Sequence, residues 1–443
     1  MRAVISPPKS LRGELTPPGD KSISHRSAIF NAIAEGSARV ENFGPGADCR
    51  STLRVLRGLG VRIEGSGPAL TVHGVGLHGL AEPANVLNAG NSGTTTRLMS
   101  GVLAAQPFLT VLTGDRSLRS RPMARVLDPL RAMGATVDGR DGGRLAPLVF
   151  RGGALRGITY QMPVASAQVK SALLLAGLFA QGETVLEQPA RSRDHTELMF
   201  AAMGVRVREE GLRLSIEPAS LRAVDVRVPA DISSAAYWLV AAVAHPDAEV
   251  TVRNVGVNPS RTGVLDALAQ MGADVRMVNR REEGGEPVAD LVARSSRLRG
   301  TVLEGDLIPR LVDEVPVLAL AACFAEGVTE VRDAAELRVK ESDRITTTAT
   351  ELNRMGARVS ELPDGLRITG VGRLSGAEGR TYDDHRIAMT LGVAGLLART
   401  RTMVVKAENA AVSYPSFWED IAALGAGVRT KGAAARVRSR EEG

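Results

Sequence analysis

The residues best suited to chemistry stand just before apolar-periodic stretches. Lys21 and Ser22 precede Ala28, Ile29, Ala32 and Ile33, whose spacing predicts a helix. Backbone N–H groups and the dipole at a helix start attract anions, so Lys21, Ser22 and Arg26 form an anion-binding candidate. The segment only imitates a phosphate-binding P-loop. Five residues separate Gly13 from Gly19, Asp20 stands between Gly19 and Lys21, and Pro17 and Pro18 carry no N–H. In Asn88–Arg97, glycines such as Gly93 let a ligand approach the backbone closely. Thr113–Pro122 collects Arg116, Arg119 and Arg121 in one loop, an arrangement that favours a bound carboxylate or phosphate, and Pro122 restricts the backbone that aims Arg121.

Further along, Ser166 and Gln168 open another apolar helix, and their neutral polar groups suit a polyol or amide. Ser192–Glu197 leads into a helix in the same way; His195 there reads as a local hydrogen-bonding residue rather than a catalyst. Asp313 precedes the wholly apolar run Val317–Phe324, where the helix dipole favours a carboxylate. Arg338–Arg344 reads as helix, with Lys340 and Arg344 four apart and Glu341 and Arg344 three apart on one face. Tyr382–Arg386 places one more guanidinium at the start of the apolar helix 387–397. Each segment alone could equally be a capped surface helix or a solvated loop. Taken together, cations and hydrogen-bonding groups at six or seven helix starts fit a pair of ligands carrying several negative charges.

Those helix starts need elements that bring them together, and a repeat supplies them. Six times a helix ends on Leu or Met followed by Gly and then an alternating strand: at Gly60, Gly134, Gly204, Gly272, Gly356 and Gly425. The glycines lie 68 to 84 residues apart, too far for solenoid or propeller repeats. A second signal, a helix ending in small or turn residues before a strand, precedes each of them. The unit is therefore strand–helix–strand–helix–strand–strand, an α/β architecture. Pro17–Gly19 and Val228–Asp231 read as crossings between two sets of three units.

Bulk properties agree with a soluble globular protein of two or three domains. The chain has 443 residues, 44% hydrophobic and 23% charged. No apolar run is long enough for a membrane span, and Met1–Pro8 lacks the apolar segment of a signal peptide, so a cytoplasmic setting is expected. Cys49 and Cys323 are far apart, which argues against a disulfide framework or zinc cluster. Five basic and two acidic residues in 429–443, read as a disordered tail, carry half of the net charge of +6. With aromatics at 3%, a nucleic-acid surface is not expected. Rossmann, G-x-S-x-G and metal-ligand spacings are absent.

The segments PGDKSISHRS, NSGTTTRL, RSRPM, SAQVKSA, SRDHTE, VDEVP, RVKESDR and DDHR, in this order from about Pro18 to Pro415, closely resemble the 5-enolpyruvylshikimate-3-phosphate synthase family of the shikimate pathway. The resemblance implies two similar α/β domains, each of three βαβαββ units (an inside-out α/β barrel), joined by a two-stranded hinge. They would be 19–227, and 1–18 with 228–428. It implies transfer of enolpyruvyl from phosphoenolpyruvate to the 5-hydroxyl of shikimate 3-phosphate, through a tetrahedral intermediate, by a monomer without metal or organic cofactor. Lys21, Ser22, Arg26, Ser166, Gln168, Ser192, Arg193, Asp313 and Lys340 would bind shikimate 3-phosphate. Lys21, Gly93, Arg121, Gln168, Arg344 and Arg386 would bind phosphoenolpyruvate. Asp313 would be general base, and Glu341 with Lys21 would move the methylene proton.

Three positions depart from the family pattern. A lysine common near the last Tyr/Phe-Pro is absent from Ala411–Pro415, Glu336 replaces a common amide, and Gly93 keeps a small residue beside features of glyphosate-insensitive relatives. The sister enzymes acting on UDP-N-acetylglucosamine use a cysteine before their Arg-Pro, and Thr113–Pro122 has none.

Overall fold

Gly60, Gly134, Gly204, Gly272, Gly356 and Gly425 all adopt left-handed backbone, with φ between 80° and 101°. Only glycine does this without a Cβ penalty, so each ends its helix where the sequence places the stop. Each is followed by a strand that enters an antiparallel pair. This computed structural model describes residues 1–432.

The strands form six four-stranded sheets of one pattern, each with a single parallel contact at one side. A helix bridges four of the parallel pairs, as Gly93–Leu103 does between Leu87–Asn88 and Thr110–Thr113. The other two parallel pairs join strands distant in sequence. Val226–Arg227 pairs with Ser37–Glu41, and Leu11–Leu15 pairs with Ala248–Gly256. The chain thus crosses twice between two sets of three sheets. The crossings hold each other: Asp20 N–H donates to the Pro229 carbonyl at 2.7 Å, and Asp231 N–H to that of Pro18 at 3.0 Å.

Apolar side chains follow the same division. One buried cluster runs from Ile23 to Val228, and the other joins Ala3, Ile5 and Leu11 to residues between Ile232 and Ala426. Within each half, three helices lie inside their sheets and are buried on nearly all sides: Lys21–Ala32, Gly93–Leu103 and Ala167–Gly177, then Ile232–Ala244, Val315–Ala322 and His385–Leu397. They have no solvent face to present, and the polar side chains of Lys21–Ala32 and Gly93–Leu103, such as Arg26 and Arg97, are buried with the apolar ones. Among the described residues no helix is long and apolar enough to cross a membrane.

Arg429 and Lys431, expected in a disordered basic tail, are instead part of a sheet. Gly427–Lys431 is a strand paired along Arg2–Ser6, because that strand offers an open edge for it. Residues 433–443 lie outside the described ones.

Packing of the inner helices sets a test. A Cβ on Gly101 would fall far inside contact distance of the Ala172 carbonyl oxygen on the neighbouring helix. Gly101→Ala should therefore lower the unfolding free energy by about 1–3 kcal/mol, outweighing the ~1 kcal/mol helix-propensity gain. Urea denaturation measures this; an unchanged or raised midpoint would contradict the close approach.

Candidate active site

Because the inner helices of both halves start at the same place, their N-termini converge on one cavity of about 390 Å³. Lys21, Ser22, Gly93, Thr94, Ser166 and Gln168 line it from the N-terminal half, and Asp231, Ser233, Asp313, His385 and Arg386 from the C-terminal half. Caps define the helix starts. Asp20, Ser92 and Ser166 accept from Ile23, Thr95 and Val169 N–H, while Asp231 and Asp384 accept from Ser233 and Arg386 N–H.

Of the six carboxylates that line the cavity among the described residues (Asp48, Asp231, Asp313, Asp333, Glu336 and Glu341), Asp313 and Glu341 each face arginines of both halves. Asp313 Oδ2 accepts from Arg193 Nη2 at 2.6 Å, across the two halves. Its Oδ1 lies 3.4 Å from Arg344 Nη1 and 3.8 Å from Lys340 Nζ. Burial opposes the charge on Asp313, but Lys340, Arg193, Arg386 and Arg344 outweigh it and hold the acid well below the usual carboxylate range. Glu341 accepts from Arg344 Nη2 at 2.6 Å and lies 3.7 Å from Arg121 Nη1, again across the halves. Burial disfavours its charge too, yet Arg344, His385, Arg121 and Lys21 keep it well below its ordinary value. His385 is likewise pushed down, well below the usual imidazole range, but by burial first and then by Lys21 and Arg386, which favours the neutral ring. Burial lowers the Lys21 pKa, but Asp48, whose Oδ2 lies 3.0 Å from Nζ, and Glu341 more than restore it. This arrangement offers guanidinium and ammonium groups suited to anions beside two carboxylates that the same cations keep ionised.

The expected site residues are mostly brought together. Lys21, Ser22, Gly93, Arg121, Ser166, Gln168, Ser192, Arg193, Asp313, Lys340, Glu341, Arg344 and Arg386 all line the cavity. Arg26 does not. Its guanidinium turns inward to Thr196 Oγ1 at 2.8 Å, Ser171 Oγ at 2.7 Å and the Ser22 carbonyl at 3.0 Å, where burial lowers its pKa to about 10. Arg338–Arg344 is not a continuous helix. Asp343 takes the N–H groups of Ile345 and Thr346, each at 3.1 Å, so the helix starts at Arg344 and Lys340 precedes it in irregular backbone. Glu341 still reaches Arg344, across the cap.

Several lining residues had escaped sequence reasoning. Arg97 stands one helical turn after Gly93 and donates to Gln168 Oε1 at 2.6 Å; burial and the neighbouring Arg125 and Arg121 lower its pKa to about 9. The signal was present in NSGTTTRL, four residues beyond the glycine. A side chain on Gly93 would place its Cβ 2.8 Å from Arg97 Nη1, so the glycine makes room for that cation. Arg125 faces Glu336 at 3.7 Å across the halves. Arg261 donates to Ser233 Oγ at 2.7 Å and lies 4.0 Å from Asp313 Oδ2; nothing local in NPSRTG marks it. The segment missing a lysine, Ala411–Pro415, does not line the cavity, and Tyr414 is buried against Trp238.

A family model described as EPSP synthase (3-phosphoshikimate 1-carboxyvinyltransferase) matches residues 5–421. The chain belongs to the EPSP synthase family. A protein of Herpetosiphon aurantiacus named 3-phosphoshikimate 1-carboxyvinyltransferase is 54% identical over 428 residues, covering 96% of this chain and 99% of that protein. One of the same name from Gloeobacter violaceus is 57% identical, covering 94% and 98%. A solved EPSP synthase from Acinetobacter baumannii superposes with a TM-score of 0.86 at 45% identity, over 97% of this chain and 100% of that one. The two-half α/β fold with six repeated sheets is thus the family's fold.

The cation cluster predicts an acid response. Asp313 has a folded pKa below its unfolded value of 3.8, so its charge contributes stability that is complete above that value and lost as pH falls through the folded one. The gap in melting temperature between the unaltered protein and Asp313→Asn should be constant above about pH 5 and narrow below it. Calorimetry from neutral to acid pH at low salt measures this, and a gap that widens in acid would reverse the assigned sign.

Proposed function

We infer that the protein transfers the enolpyruvyl group of phosphoenolpyruvate to the 5-hydroxyl of shikimate 3-phosphate and releases phosphate. One observation carries the site reading: two ionised carboxylates, Asp313 and Glu341, sit amid cations from both halves in a single cavity. Such carboxylates position the arginines and, beyond that, can accept and return protons.

In this reading Lys21, Ser22, Ser166, Gln168, Ser192, Arg193 and Lys340 hold shikimate 3-phosphate, with Arg26 acting through its bonds to the Ser22 carbonyl and Ser171. Gly93, Arg121, Arg344 and Arg386 hold phosphoenolpyruvate, Lys21 and Gln168 touching both ligands. Asp313 takes the proton of the 5-hydroxyl as that oxygen bonds to C2 of phosphoenolpyruvate, and C3 gains a proton. The tetrahedral adduct then loses a proton from C3 and phosphate from C2. Glu341 and Lys21 carry the C3 proton in and out. Glu341 is held ionised by Arg344, Arg121 and their neighbours, against the pull of burial. The negative charge of phosphoenolpyruvate offsets those arginines, which raises the proton affinity of Glu341 when the substrate is bound. No metal or organic cofactor enters this scheme. We further propose that 19–227, and 1–18 with 228–428, act as two domains closing about the Gly19–Ala230 crossing. The setting proposed is a cytoplasmic monomer.

Purified protein should release phosphate only when both phosphoenolpyruvate and shikimate 3-phosphate are supplied; release with UDP-N-acetylglucosamine instead would overturn the reading. Asp313→Ala should lower turnover by about 10²–10⁴-fold with an unchanged circular-dichroism spectrum. Full activity in that variant would remove Asp313 from the mechanism.

A further inference from the structure

Three consecutive residues of the N-terminal half each reach into the C-terminal half. Arg193 donates to Asp313 at 2.6 Å. Asp194 Oδ1 accepts from Asn258 Nδ2 at 2.9 Å and from Ser260 Oγ at 2.8 Å. His195 Nδ1 lies 2.7 Å from Glu286 Oε1, and Asn258 Nδ2 also donates to Glu286 Oε2 at 3.0 Å, tying the two acceptors together. His195 and Asn258 are each 2% exposed and Glu286 6%. His195, Glu286 and Asn258 do not line the cavity.

We propose that His195 and Glu286 are positioning residues that fix the base of Arg193, so that its guanidinium meets Asp313 and shikimate 3-phosphate across the cleft. The segment needs such a fixture. Residues 188–194 lie between the strand Thr184–Glu187 and the helix His195–Ala202, with no regular backbone to hold them. The Glu286 side is rigid: it begins the strand Glu286–Arg294, and Val257 N–H donates to the Pro287 carbonyl at 2.8 Å, joining the Asn258 loop to that strand. A buried imidazole–carboxylate pair adds little net stability, because desolvation offsets the attraction; what it specifies is register between the surfaces it joins. Among the described residues His195 Nε2 has no hydrogen-bond partner, so Glu286 alone orients the ring through a polar bond.

The inference rests on the reaction proposed above, and turnover by the unaltered protein is its control. His195→Ala should raise the KM for shikimate 3-phosphate by about tenfold or more and leave that for phosphoenolpyruvate within about twofold, since a small misplacement of a gripping group weakens only the ligand it grips. His195→Asn, which keeps a donor near the Nδ1 position, should recover most of the loss. Should His195→Ala fail to fold, Glu286→Gln carries the same test: it retains size and an acceptor for His195 but sets an amide NH2 against that of Asn258, and the same one-sided rise is expected. Unchanged constants in a folded variant, or equal rises for both substrates without rescue by asparagine, would overturn the clamp. No turnover by the unaltered protein would refute the reaction and the clamp with it; turnover with indifferent variants would refute the clamp alone.

Discussion

The cleft depends on one buried cation, Arg344. Its guanidinium donates to Asp384 at 2.8 Å, reaches Asp313 at 3.4 Å and holds Glu341 at 2.6 Å. Asp384 is wholly buried and Arg344 only 2% exposed, so the buried carboxylate relies on that arginine as its partner. Asp384 also caps the helix His385–Leu397 and accepts from Ser342 Oγ at 3.0 Å. One carboxylate therefore fixes a helix start, an arginine and the loop before that arginine. Both carboxylates of the proposed chemistry are placed by what that arginine can reach.

The convergence of helix starts gives this arrangement its direction. Six inner helices present their positive ends to one cavity, which lowers the cost of gathering anions there. The halves answer that field differently. In the N-terminal half Ser92 and Ser166 cap two of the three helices, leaving the field uncompensated. In the C-terminal half Asp231, Glu314 and Asp384 stand at the helix starts and pair with Arg261, Arg386 and Arg344. Cations of the C-terminal half are thus held in place before any ligand arrives. Arg97 is poised otherwise: with burial and two arginine neighbours against its charge, it gains most from an anion entering the cavity.

Contacts between the halves follow the same logic. Arg193–Asp313, Arg121–Glu341 and Arg125–Glu336 join groups across the cavity. In the proposed reading substrate anions compete for those arginines, so binding and the proposed closure share the same side chains. The His195–Glu286 contact lies outside that competition and can hold register while the others exchange partners.

Much of this is written locally in the chain. The six closing glycines, the apolar inner helices and the cap residues act within a few neighbours, and their steric and hydrogen-bonding demands are visible in sequence. The order of motifs likewise marked Lys21, Arg121, Asp313, Glu341 and Arg386. Other features depended on contacts between residues far apart. Arg26 faces inward because Ser171 and Thr196 offer it oxygens there. The helix after Lys340 starts late because Asp343 wins the free amides. Arg429 joins a sheet because the strand at residues 2–6 has an open edge. Arg261 and Arg125 enter the cavity from segments with no local signature. Sequence by itself settled the repeated unit and the residue types at the helix starts, because those rest on short-range backbone physics. Only the tertiary structure decided which cations face the cavity and which carboxylates they hold, because burial and charge pairing are set by the neighbours that folding brings together.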